Sequence, residues 1–120
     1  MIPADPVDAD PVDVVQAQLE AYNARDLERF LATYSDSVMV YRPPAREAAI
    51  SGKAQLARFY AENRFNLPAL KADIVNRTVL GNKVIDHELI WGVREQAFEV
   101  AAVYEVREGL IQTVWHFAAE

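Results

Sequence analysis

The stretch KADIVNRTVLGNKVIDHELIWGVREQAFEVAAVYEVREGLIQTVWHFA, residues 71–118, decides the fold. β-Branched and aromatic residues dominate it, and turn-formers interrupt it at regular intervals. Lys71–Leu80 reads as one strand, and Gly81-Asn82-Lys83 as a hairpin turn. Val84–Val93 and Ala97–Val106 follow as the second and third strands. Arg107-Glu108-Gly109 is the next turn, and Leu110–Ala118 the fourth strand. Short connections between neighbours make these strands an antiparallel meander.

Upstream the period changes from two to 3.6. Val12, Val15, Leu19 and Tyr22 mark a helix, with Asp10 as cap, Pro11 in its first position and Asp13 at the positive end of its dipole. Asn23-Ala24-Arg25-Asp26 breaks it. Asp26 caps a second helix with the stripe Leu27, Phe30, Leu31, Tyr34, closed by Ser35-Asp36-Ser37. Val38–Tyr41 is a short strand stopped by Pro43-Pro44. An irregular stretch runs to Ile50. Ser51 caps a third helix bearing Leu56, Phe59 and Tyr60, which ends by Leu67, the residue before Pro68. Helices first and strands after give an α+β class. The expected form is a curved antiparallel sheet wrapped around three N-terminal helices, a cone with an internal pocket. Residues 10–120 form that single domain. The repeat Ala4-Asp5-Pro6-Val7-Asp8, Ala9-Asp10-Pro11-Val12-Asp13 leaves residues 1–9 as a mobile acidic tail.

Composition narrows the function. A chain of 120 residues supports one modest core. It has no cysteine, which removes disulfides, thiolate metal sites and a cysteine nucleophile. No apolar run approaches the roughly 18 residues of a membrane helix, and Met1 is followed by no secretory leader, so a soluble cytoplasmic protein is expected. The net charge of −6, without a basic block, argues against nucleic acid. Four acidic residues lie within the first thirteen, so the folded body is nearly neutral.

Tyr22-Asn23-Ala24-Arg25-Asp26-Leu27, then Phe30-Leu31 and Tyr34-Ser35-Asp36 before a valine-rich strand, resemble the opening of nuclear-transport-factor-two-like proteins. That superfamily includes SnoaL-like polyketide cyclases and ketosteroid isomerases. Ile50-Ser51-Gly52-Lys53 and the hairpin around Tyr104–Ile111 strengthen the likeness, which covers residues 11–118. These are scaffold motifs, so they speak to fold more than chemistry. The ketosteroid isomerase triad of Tyr, Asp and Asp would fall on Gln18, Arg42 and Ala102, so that mechanism is not expected. The Asp-Arg-Asp network of limonene-epoxide-hydrolase-like relatives would fall on Glu88, Ile90 and His116 and is not matched either. The cyclase branch keeps an acid–base residue near the position of His116.

A three-residue Arg107-Glu108-Gly109 loop would pair Val106 with Leu110, Tyr104 with Gln112, Ala102 with Val114 and Val100 with His116. A two-residue Glu108-Gly109 turn would flip one strand against the other. The resemblance puts Val100, Ala102, Tyr104, Val106, Leu110, Gln112, Val114 and His116 inside. Glu99, Ala101, Val103, Glu105, Ile111, Thr113, Trp115 and Phe117 then face outward, where a homodimer would cover the apolar residues. His116 becomes the leading acid–base candidate. Asp86-His87-Glu88 is ambiguous: hydrophobicity favours Ile85, His87, Leu89 and Trp91 as the core side, and the resemblance favours Glu88. Glu88 in a closed pocket would join His116 and Tyr104 in the chemistry. Tyr41 and Arg42 are placed at the mouth, and Tyr22, Phe59, Val100 and Ala102 on the wall. No metal or cofactor is expected. The implied function is binding of a small hydrophobic or carbonyl-bearing ligand. Two readings stay open: an isomerase, cyclase or dehydratase acting by proton transfer, or a non-catalytic binding or dimerisation module.

Overall fold

The computed structural model describes residues 10–119, and the acidic segment 1–9 lies outside them. Helix α1, Pro11–Ala24, starts where the sequence places it: Val12 N–H donates to Asp10 Oδ1 at 2.9 Å, and Pro11 needs no partner there. Arg25 closes α1 in the left-handed region at φ 53°. Asp26 then accepts from Arg29 N–H at 3.1 Å and opens α2, Leu27–Leu31. The second helix is shorter than its stripe suggested. Thr33 Oγ1 donates back to Phe30 O at 2.7 Å, and Tyr34 leaves the helix to begin strand β1, Tyr34–Tyr41.

Strand β2, Ala48–Ser51, lies in the stretch expected to be irregular. Helix α3, Lys53–Asn63, is not capped by Ser51 as expected; Gly52 at φ 87° precedes it. The cap works in reverse, with Ser51 N–H donating to Gln55 Oε1 at 2.9 Å. Strands β3, Lys71–Leu80, β4, Lys83–Trp91, β5, Phe98–Arg107, and β6, Leu110–Ala118, form the meander. Sheet order is β2-β1-β6-β5-β4-β3. The class is α+β, with a curved six-stranded sheet and three helices. The meander is antiparallel as read, and β1 joins parallel to β6, so the complete sheet is mixed.

The helices pack on one face. Helix α1 lies across β3 to β6 and α3 across β1 and β2. Phe30 is fully buried between them, with ring centroids 4.7 Å from Tyr60, 4.9 Å from Tyr34 and 5.1 Å from Phe65. Asn23 pins α1 to the sheet edge: its amide donates to Ala72 O at 3.0 Å, and Ala72 N–H donates to its Oδ1 at 2.8 Å. That exchange satisfies backbone groups on edge strand β3 that would otherwise be unpaired.

The β5–β6 hairpin corrects the expected loop. Glu108 at φ 53° and Gly109 at φ 76° make a two-residue turn, so Arg107 faces Leu110 and Val106 faces Ile111. Ile111 is therefore buried in the core rather than on the outer face, and Gln112 no longer sits opposite Tyr104. Gln112 is an extra residue, and past it Glu105 faces Thr113, Tyr104 faces Val114 and Ala102 faces His116. The extra residue turns β6 over again. His116 thus shares the inner face with Tyr104, opposite Ala102 rather than Val100.

Candidate functional site

A cavity of about 290 Å³ opens between the helices and the inner face of β3 to β6. Its helical walls come from Gln18 and Tyr22, one turn apart on α1, and from the adjacent Phe59 and Tyr60 on α3. The sheet contributes Glu88, Ile90, Val100, Tyr104 and His116. Three connections supply its rim, with Arg42 after β1, Arg64 after α3 and Arg94 between β4 and β5.

Strand alternation settles the ambiguity in β4. Asp86, Glu88 and Ile90 are buried on the inner face, whereas His87 lies outside, where its Nε2 is 2.7 Å from Glu99 Oε1. The hydrophobic reading of this strand was inverted: Trp91 is exposed on the outer side and donates through Nε1 to Asp73 at 2.9 Å. Asp86 is almost fully buried and paired with Arg77 in fork geometry, Nε to Oδ1 at 2.7 Å and Nη2 to Oδ2 at 2.9 Å. Gln16 accepts a further bond from Arg77 at 2.9 Å, tying this pair to α1.

Glu88 has no such cation. Its neighbour is the Tyr104 hydroxyl, which donates to Oε2 at 3.4 Å. Burial, reinforced by the Asp86 charge, pushes the Glu88 carboxyl up to about 8. Burial holds the Tyr104 hydroxyl well above its ordinary value as well. On the same sheet face, two strands away, burial and then the positive charges of Arg42 and Arg64 push His116 down to about 4. At neutral pH the cavity therefore holds a protonated carboxyl and an unprotonated imidazole. Glu88 and His116 are two strands and one diagonal step apart, about 12 Å between Cα atoms. Ala102 lies between Asp86 and His116 in one row and leaves room above it.

Of the side chains expected at the site, His116, Glu88, Tyr104, Arg42, Tyr22, Phe59 and Val100 line the cavity. Ala102 is sealed beneath it rather than on its wall. Tyr41 is not at the mouth. The β1–β6 register sets it opposite Trp115, and the two rings stack at 6.3 Å with 20° between planes, away from the cavity. Arg42, the next residue, turns inward. Gln18, Arg64, Arg94 and Phe98 were not foreseen as lining residues. Gln18 had a visible signal, a polar residue in register with Val14, Val15 and Tyr22 on the buried stripe. The arginines had none, because connections carry no periodicity. Among the described residues, no three His, Asp or Glu side chains gather into a group that could hold a metal ion.

A family model described as SnoaL-like domain matches residues 15–114. Solved structures of similar fold include a Kribbella flavida DSM 17836 protein provisionally named a ketosteroid isomerase. It is 21% identical, with 92% of this chain and 78% of that chain covered and a TM-score of 0.79. An uncharacterized cystatin fold protein from Novosphingobium aromaticivorans is 19% identical, covering 90% and 97%, with a TM-score of 0.80. A computationally designed 17-OHP binder is 14% identical, covering 93% and 94%, with a TM-score of 0.81. At these identities the likeness is one of fold. No curated protein matches the sequence.

Proposed function

The chain belongs to the SnoaL-like domain family, and from that premise we propose a cytoplasmic, cofactor-free enzyme that moves a proton on a small carbonyl-bearing substrate. The observation that carries this reading is that one cavity is lined by a carboxyl, Glu88, bonded to the Tyr104 hydroxyl and by an imidazole, His116, two strands away on the same sheet face. His116 takes a proton from the carbon next to the carbonyl. Charge then develops on the carbonyl oxygen, where the Glu88 carboxyl and the Tyr104 hydroxyl donate hydrogen bonds and Arg42 adds positive charge. Return of the proton to another carbon gives isomerisation; attack of the enolate on a second carbonyl carbon, with the imidazolium protonating the resulting alkoxide, gives ring closure; departure of a β-hydroxyl as water, protonated by the imidazolium, gives dehydration.

The test is exchange of α-protons for deuterium in a panel of cyclic ketones in D2O, followed by NMR. Catalysed exchange by the native chain, lost in His116→Ala with the fold retained, supports the proposal. Saturable ketone binding without exchange moves the protein to the binding-module reading. A marked fall in the melting temperature of His116→Ala, with ligand affinity and exchange rate unchanged below it, makes His116 a core residue only. Gln18, Arg42 and Ala102 lack the groups for steroid isomerisation, so no turnover of a Δ5-3-ketosteroid is expected.

The reading includes a homodimer. The outer faces of β5 and β6 carry Ala101, Val103, Thr113, Trp115 and Phe117 away from the helices, and Phe117 is exposed. A second copy would cover this apolar strip, with the aromatics as anchors.

A further inference from the structure

The geometry points to a compact carboxylic acid anion with an aromatic or alicyclic body as the ligand class, its carboxylate at the Arg42–Arg64–Arg94 rim and its body against Phe59 and Phe98. This rests on the reading that the cavity holds a small molecule, and narrows it.

Among the described residues, no carboxylate lies within ion-pair distance of any of the three rim arginines, although the whole chain is acidic at −6. By contrast Arg77, deeper in the same domain, is doubly bonded to Asp86. The rim cations are instead held over rings. Arg42 stands 5.1 Å and Arg64 5.3 Å from the centroid of Phe59, and Arg94 stands 4.0 Å from that of Phe98. Cations gathered at one rim repel each other, and a bound anion offsets that cost. Arg64 gives one N–H to Asn63 O at 2.7 Å, and the remaining N–H groups of a ring-held guanidinium stay available to a carboxylate. The one acidic side chain on the wall, Glu88, is engaged by Tyr104 inside and cannot serve the rim. A volume of about 290 Å³ is at the lower end of small-molecule sites and suits one or two rings.

The experiment is titration calorimetry with three probes of matched shape: 2-naphthoate, 2-naphthamide and methyl 2-naphthyl ketone. Naphthoate is expected to bind about tenfold or more tightly than the amide at low salt. That preference should fall to about threefold or less in Arg42→Gln/Arg64→Gln, and should shrink between about 20 and 300 mM salt. Arg29→Gln, an exposed arginine away from the cavity, should leave it unchanged. Melting temperatures confirm that each variant is folded. Equal or weaker binding of naphthoate in the native chain overturns the anion class while leaving the carbonyl reading standing. A preference that survives in the double variant also overturns it. Failure of all three probes to bind counts against the cavity reading itself and takes this inference with it.

Discussion

The two faces of the meander differ in the direction opposite to ordinary expectation. The inner face of β4 to β6, under the helices, buries Asp86, Glu88 and Tyr104 among valines and alanines, with His116 half-buried beside them. The outer face carries Ile85, Leu89, Trp91, Val103, Trp115 and Phe117, interrupted by polar rungs such as His87–Glu99, Lys83–Glu105 and Thr113–Glu105. A sheet with a solvated back should show the reverse. Polar residues tolerated inside mark a cavity with work to do, because each must be partnered or neutralised. Apolar residues tolerated outside mark a surface that a partner is expected to cover.

The contrast can be broken most forcefully at Asp86. Asp86→Ala strips the half-buried Arg77 guanidinium of its buried partner and should destabilise the fold by roughly 3 kcal/mol. Urea unfolding measures this, and a loss below about 1 kcal/mol would mean Arg77 swings out to water. Next in size is Glu88→Gln. The folded pKa of Glu88 is raised to about 8, so between its unfolded value near 4.5 and pH 8 the native state holds more protons than the unfolded one. Stability from this group falls as pH rises through that window and is flat above it. His116, lowered to about 4, acts oppositely: its neutral form favours the fold as pH rises from about 4 to 6.5. The two offset each other below pH 6.5, leaving a decline from 6.5 to 8 that belongs to Glu88. Glu88→Gln should abolish that decline and raise stability at pH 9 by an amount on the order of a few kcal/mol. Calorimetric melts across pH check it, and parallel curves for both proteins would show that Glu88 is ionised throughout.

Outer-face changes should leave the fold nearly untouched. Trp115→Glu should halve a light-scattering mass of about twice 13.5 kDa with little shift in melting. A native mass near 13.5 kDa at micromolar concentration would defeat the dimer. Smallest of all is His87→Ala. It removes an exposed pair with Glu99, and a change within about 0.5 kcal/mol is expected from a melt at pH 7.

Local rules made much of the fold legible. Asp10 and Asp26 cap their helices, and the ends of β3 and β6 fall where the turn residues put them. Features set by distant partners were not legible. Strand β2 and the parallel seam of β1 with β6 depend on pairings that leave no local period. In β4 both phases are apolar enough to be core, and only the position of α1 above one of them decides. The same holds for the site. Tyr22, Phe59, Tyr104 and His116 sit on periodic elements and could be assigned a side. Arg64 and Arg94 come from connections brought together by the completed fold.

Gln112 has a consequence of another kind. Its removal would leave each recorded β5–β6 pair in place, since Ile111 and Thr113 already face the adjacent residues Val106 and Glu105. Losing a residue from an interior strand ordinarily turns everything beyond it inside out. Here it would delete only the bend and added twist that an unpaired residue introduces. The chain thus sets which residues look inward by the pairing register and the local bend of β6 by a residue outside that register. A lineage, or an engineer, could tune that bend at residue 112 without turning over a single inward side chain of β6.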